Sequence, residues 1–199
     1  MAIKKGEKYE AIIEAATKVI AKNGYYEAKV SQIAKDAGLG DGTVYLYFKN
    51  KQDILISVVE EKMGRFLNLL EKRLKTKSSS LDKLYLLVDT HCNFLAEDFN
   101  LALFTQVELR QANKEIRAGI EPSLKTYYNI ILQVLEQGID EKVFSENLNK
   151  RAAASMIFGT LDETVTSWVM ADGKFDLLAR VDPVYSLLTN GLKGETNNS

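Results

Sequence analysis

The chain has 199 residues, 46% hydrophobic and 27% charged, with a formal net charge of −1. That length and balance suit one or two globular domains with a real core and exclude a disordered or fibrous chain. No apolar run approaches the roughly 18 residues of a membrane span. The opening "MAIKKGEKYE" has no secretory apolar region, and the single cysteine, Cys92, has no partner for an intrachain disulfide, so a cytoplasmic location without membrane contact is expected.

The small net charge hides an asymmetry. Residues 1–51 hold nine lysines against six carboxylates, whereas the remainder holds seventeen basic against twenty-one acidic side chains. Solvated faces alone produce such imbalances, so the basic head carries meaning only together with a motif.

Apolar residues recur at helical spacing along nearly the whole chain, and only two prolines, Pro122 and Pro183, interrupt it. An all-α fold is expected. Tyr9, Ile12, Ile13, Ala16, Val19 and Ile20 form one face of a first helix, with Asn23-Gly24 as its stop. In "VSQIAKDAG", Val30, Ile33, Ala34 and Ala37 share a face and Gly38 ends the helix. After a short turn, Val44 and Phe48 are four residues apart and face inward together, leaving Thr43, Tyr45 and Tyr47 on flanking or outward surfaces. From Lys51 a helix of about 25 residues carries Ile54, Leu55, Val58, Val59, Phe66, Leu67, Leu70 and Leu74 and ends at "KTKSSS". Further helices are expected at about 80–97, 100–111, 113–138, 147–171 and 183–193, with Gly138, Asp172-Gly173 and Gly191 as breaks.

Two short helices joined by a tight glycine turn read as a helix-turn-helix, placed at about 31–50, whose second helix can enter the DNA major groove. Such a turn needs a residue that tolerates a left-handed backbone, here Gly38. The second helix must bury one side and offer hydroxyl, small or aromatic groups on the other. Spacing alone also suits a plain helical core.

The run "AIIEAATKVIAKNGYYEAKVSQIAKDAGLGDGTVYLYFKNKQDIL" resembles the N-terminal domain of the TetR family of one-component bacterial repressors. The matching features are the Gly24 turn, Ile33-Ala34, Ala37-Gly38, Gly42-Thr43, Tyr45, Phe48 and Lys49 to Lys51. The resemblance implies a DNA-binding head over residues 1–51 and a helical ligand-binding and dimerisation domain over residues 52–199. It also implies a homodimer built mainly from the last two helices, acting on double-stranded palindromic operator DNA. Within the family, "YLYFKNKQDILISVVEEKMG", "TQVELRQANKEIR" and "MIFGTLDETVTSWVM" are similar to the regulators of fatty acid degradation in bacilli, which are released from DNA by long-chain acyl-CoA. A regulator of another regulon, such as multidrug efflux, answering a different hydrophobic molecule, is the alternative.

Carried onto this chain, Thr43 and Tyr45 match DNA-contacting positions, where hydroxyls bonded to phosphate fix register without reading sequence. Tyr47 has a thymine methyl or the DNA backbone within its repertoire. Lys51 matches the lysine that meets a phosphate at the start of the bridging helix, with Lys49 in support. Ser31 and Gln32 open the second helix and reach phosphate or, for Gln32, a base edge. Gly42 permits close approach to the DNA backbone. Asp41 departs from the family pattern, as does Gly40. Its carboxylate is read as an N-cap of the recognition helix, a role worth about 1 kcal/mol, with acceptance from a cytosine amino group left open.

For the effector, Phe66, Leu67, Leu70, Phe94, Leu95, Leu103, Phe104, Val107 and Tyr127 supply apolar walls, and His91 is a further contact. An acyl chain gains roughly 0.8 kcal/mol per buried methylene in such a tunnel. The phosphates of coenzyme A call for a basic group, for which Arg110, Arg73 and Arg117 qualify by type. Ile157, Leu161, Val165 and Trp168, with Leu187 and Leu188, are assigned to the dimer interface. Asp162 and Glu163 have three open placements: pairing across a dimer, facing solvent, or meeting a cationic ligand.

Catalysis has little to stand on. His91 and Cys92, the only residues of their types, are adjacent and project about 100° apart on a helix, which suits neither a nucleophilic pair nor a metal site. No phosphate-binding glycine motif stands in a strand-to-helix context. No cofactor and no metal are expected. A helical interaction module without DNA binding is the third class, separable by salt-dependent binding to a palindromic duplex.

Overall fold

A computed structural model describes residues 6–110 and 112–193. These are helical throughout: α1 (Glu7–Glu27), α2 (Val30–Asp36), α3 (Asp41–Tyr47), α4 (Lys51–Leu74), α5 (Ser80–Ala96), α6 (Phe99–Glu108), α7 (Lys114–Asp140), α8 (Lys150–Met170), a 3-10 turn (Leu178–Arg180) and α9 (Val181–Leu192). The expected helices are all present, with ends shifted by one to three residues where capping groups set them. Ser79, Asp98 and Asn149 each accept a backbone N–H from three residues on, so α5, α6 and α8 start just after them.

The chain forms two compact units, Met1–Arg65 with Asp98–Ser123, and Phe66–Glu97 with Leu124–Ser199. The first unit takes in α6 as well as the helix-turn-helix. Here α1 buries Tyr9, Ile12, Ile13, Ala16, Val19 and Ile20, the face its periodicity marks. Gly24 does not end α1; at φ 75° and ψ 155° it kinks the helix, which resumes to Glu27. At the end of α2, Gly38 adopts φ 68°, with Leu39 N–H donating to Ala34 O (2.8 Å) and Gly38 N–H to Lys35 O (3.1 Å). This pair of bonds is a Schellman closure, which requires the left-handed residue that glycine supplies without strain. Val44 and Phe48 are buried, and the Phe48 ring stacks on Tyr9 with centroids 5.3 Å apart. Asn50 and Asp53 cap α4 reciprocally: Asp53 N–H donates to the Asn50 side chain and Lys49 N–H to the Asp53 carboxylate.

In the second unit, Leu70 of α4, Leu84, Leu87 and Val88 of α5, Ile131 and Leu135 of α7, and Ala154, Ile157, Leu161 and Val165 of α8 are almost fully buried. Gly138 does not break α7, which continues to Asp140. The glycine makes room instead. After α7 the chain folds back, Val143 and Phe144 N–H both donating to Gly138 O (3.0 Å), and the buried Phe144 ring occupies the space a Cβ at 138 would need. Gly138→Ala should therefore destabilise the protein by about 1–3 kcal/mol, the usual cost of overpacking a closed core. A lower urea midpoint at unchanged m-value would show it.

Candidate nucleic-acid interface and effector site

On α3 the buried pair Val44 and Phe48 fixes which residues look outward. Asp41, Gly42, Tyr45 and Leu46 are exposed, as are Lys49 beyond the helix and Ser31 and Gln32 on α2. Thr43 and Tyr47 sit half-buried on the flank, Tyr47 with its ring 6.2 Å from Tyr9. Six of the nine DNA candidates are thus exposed, and the other three, Thr43, Tyr47 and Lys51, are half-buried. Gln32 has a local duty as well, its Oε1 accepting Lys29 N–H at 2.9 Å to cap α2.

Two expected roles change. Asp41 is not the N-cap: Gly40 holds that position, and Asp41 is the first helical residue, one place too far along for its side chain to take the capping geometry. It still places a carboxylate at the positive end of the α3 dipole. Lys51 is engaged within the head, its Nζ donating to the carbonyls of Tyr26 (2.8 Å) and Ala28 (3.0 Å) above the Tyr25 ring. In this structure it ties the α1–α2 link to the start of α4. Leu46 is 78% exposed, although leucine by itself reads as core. Its place two residues from inward Val44 and four from outward Gly42 puts it on the outer face.

Inside the second unit an aromatic cluster surrounds one histidine. His91 Nδ1 lies 3.0 Å from Tyr127 Oη with the rings stacked, and Phe66 sits edge-on to both. Phe94 adjoins Phe66, and Phe158 adjoins Tyr127. Burial lowers the His91 pKa to about 4 and raises that of the Tyr127 phenol, so both are neutral at physiological pH. His91 Nε2 is buried and has no hydrogen-bond partner among the described residues. Leu67, Leu70 and Leu95 are buried in the same unit.

The remaining wall candidates, Leu103, Phe104, Val107 and Arg110, belong to the first unit. Phe104 is buried, but Val107 is 48% exposed, because α6 turns Gln106 and Glu108 inward instead. Val107 is therefore no interior wall. Arg110 is exposed, with Nη1 on the Gln106 carbonyl (2.6 Å), and Arg117 is exposed. Arg73 is committed to Asp89 (2.6 Å) and Thr90 (2.8 Å), which removes it from the candidates for a free phosphate contact.

The dimer assignment also needs revision. Ile157, Leu161, Val165, Trp168 and Leu188 all face the protomer interior, and Trp168 Nε1 donates to Phe175 O. Of the six only Leu187 is accessible, at 71% exposure. The accessible face of α8 and α9 is instead an open groove of about 800 Å³ lined by Met156, Gly159, Thr160, Glu163, Pro183 and Leu187 among others. Helical periodicity identifies an apolar stripe but not which neighbour covers it. Glu163 lies at this groove, with Ser167 Oγ donating to it, whereas Asp162 is half-buried.

A glycine-shaped turn followed by a short helix that exposes Asp41, Gly42, Tyr45 and Leu46, in a chain with a separate helical unit, defines a helix-turn-helix transcriptional regulator. Residues 12–58 match the model of bacterial regulatory proteins of the tetR family, and residues 59–191 match that of the YsiA-like protein C-terminal region. The chain belongs to the TetR family and is a regulator rather than an enzyme. It is 52% identical over 188 residues, 94% of this chain and 97% of the relative, to the fatty acid metabolism regulator protein of Bacillus subtilis (strain 168). Among solved structures it is similar to FadR from Bacillus subtilis in complex with stearoyl-CoA, with a TM-score of 0.88 at 52% identity over 92% of this chain and 98% of that one. The fatty acid degradation regulator FadR from Bacillus halodurans gives a TM-score of 0.88 at 49% identity, over 93% and 100% of the two chains. Among the described residues, no helix is long and apolar enough to cross a membrane.

Two outcomes are expected. Asp41→Asn should leave the unfolding free energy within about 0.5 kcal/mol of wild type, as for other surface changes away from a cap, while tightening binding to a DNA duplex at low salt; chemical denaturation and a salt titration measure the two. For His91, the unfolded imidazole takes up a proton below about pH 6.5, whereas the folded one refuses it until about pH 4. Stability from the buried neutral ring is therefore complete above pH 6.5 and declines through that window as the pH falls, by roughly 3 kcal/mol. His91→Gln should remove that part of the acid-side decline, seen by comparing urea unfolding at pH 7 and pH 4.5.

Proposed function

We propose that the chain is a homodimeric repressor of fatty acid degradation genes that leaves its operator when it binds long-chain acyl-CoA. Residues 1–51 serve as the DNA-binding domain and residues 52–199 as the effector and dimerisation domain. The observation that carries the reading is the similarity, near full length at 52% identity, to a regulator crystallised with stearoyl-CoA. The aromatic cluster of Phe66, His91, Phe94 and Tyr127, with Leu67, Leu70 and Leu95, supplies the apolar lining for the acyl chain.

On the DNA side, Thr43, Tyr45 and Tyr47 contact the backbone or a thymine methyl, Lys49 and Ser31 meet phosphate, and Gln32 reaches phosphate or a base edge. Gly42 allows close approach, Asp41 faces a cytosine amino group, and exposed Leu46 joins the same surface. Lys51 meets a phosphate with the third donor of its ammonium while two hold the head together. Two heads bind half-sites about 34–36 Å apart or a multiple of that, the protomers meeting along the α8–α9 groove with Leu187. The protein acts in the cytoplasm and needs no cofactor. The effector must bind more tightly to a conformation that cannot span both half-sites, since equal affinity for the two states shifts nothing. Helix α4 is suited to carry the change, because Lys51–Arg65 lie in the first unit and Phe66–Leu74 in the second.

With a duplex selected from a random palindromic library, fluorescence anisotropy at fixed salt should show stearoyl-CoA weakening binding by about tenfold or more, and free coenzyme A leaving it unchanged. If neither acyl-CoA nor free fatty acid alters the titration, the effector assignment fails and a regulator of efflux type takes its place.

A further inference from the structure

The kink at Gly24 leaves a backbone donor that α1 cannot satisfy. With Gly24 at φ 75° and ψ 155°, the helix restarts at Tyr25, whose N–H falls outside the helical ladder. That N–H donates to Oε1 of Glu108, 2.8 Å away on the last residue of α6. Glu108 is 1% exposed, and a carboxylate so deeply buried is costly unless it is bonded. Neither the DNA face nor the aromatic cluster accounts for it.

From Tyr25 the contacts run on toward the recognition elements. Its ring lies 4.7 Å beneath the Lys51 ammonium, which holds the Tyr26 and Ala28 carbonyls. Ala28 N–H returns to Gly24 O at 3.0 Å, and Lys29, the next residue, is the N-cap of α2. The opposite end of α6 is tied down as well. Asp98, its N-cap, is 4.0 Å from the buried Lys62, whose Nζ pairs with Glu14 of α1 at 2.6 Å. Asp98 follows directly on Glu97, the C-cap of α5, and the last turns of α5 carry His91, Phe94 and Leu95.

We infer that Glu108 is a positioning residue that couples α6 to the helix-turn-helix, its carboxylate capping the chain restart at Tyr25 and so setting where α2 begins. The inference rests on the reading of the chain as an effector-released repressor. A charge-assisted bond at a helix break is stronger than a neutral one and is lost over a displacement of about an ångström, so a small movement of α6 is felt at the head.

The test uses the full-length dimer, with Glu108→Ala and Glu108→Gln beside wild type. Stearoyl-CoA affinity is measured by calorimetry, and affinity for the selected duplex by anisotropy with and without stearoyl-CoA. Glu108→Ala should bind stearoyl-CoA within about twofold of wild type, yet the ratio of operator Kd with and without it should fall by about tenfold. Glu108→Gln, whose amide oxygen still accepts from Tyr25 N–H, should recover most of that ratio. The inference is overturned if Glu108→Ala keeps the wild-type ratio, if Glu108→Gln loses as much as Glu108→Ala, or if Glu108→Ala loses both ligand and operator affinity together with its thermal transition. Should stearoyl-CoA leave wild-type operator binding unchanged, the effector reading fails separately. Operator affinity without effector then decides the positioning role: a loss in Glu108→Ala that Glu108→Gln restores supports it, and no loss overturns it.

Discussion

The head depends on one packing contact, Phe48 against Tyr9. A helix of seven residues such as α3 has no stability of its own in water, since nucleation consumes more conformational entropy than so few hydrogen bonds return. Its existence and its direction both come from burying Val44 and stacking Phe48 on α1. Once that face is committed, the 100° step of the helix leaves Asp41, Gly42, Tyr45 and Leu46 outside. The exposed face of α3 is thus a by-product of core packing, and the side chains on it are free to be chosen for what they meet.

Several polar side chains inside the two units are tied to a partner across a helix boundary. In the first unit Lys62 meets Glu14, and Glu108 meets the amide exposed by the Gly24 kink. In the second, Arg73 meets Asp89 and Thr90, and His91 meets Tyr127. Burial of apolar area is by itself non-directional and leaves the register between helices to close packing and to polar contacts. Directional bonds between buried groups fix that register.

Helical periodicity made the helices of the described residues recognisable within a few residues, and the turn at Gly38 was legible because a left-handed residue at that spacing has few other uses. It was less informative where one signal serves two purposes. Gly24 and Gly138 both read as helix ends; one is a kink whose free amide is capped from α6, and the other makes room for Phe144. Ile157, Leu161, Val165 and Trp168 read as a dimer stripe and proved to be protomer core, because an apolar face records only that something covers it. The burial of Glu108 and Gln106 has no local signal, since a charged or amide side chain reads as exposed until a partner far along the chain is known.

The sequence by itself determined the helical class, the family, and the spacing of Val44 and Phe48 that orients the recognition helix, since all of these depend on local periodicity and on motifs within about fifty residues. Tertiary structure decided what Lys51 and Arg73 bind, which side of α8 is open, and why a carboxylate is buried at the end of α6. Those outcomes turn on pairs such as Tyr25 with Glu108, 83 residues apart. No local rule selects such a partner, because the donor becomes an orphan only when Gly24 kinks the chain, and the acceptor arrives only when α6 packs beside it.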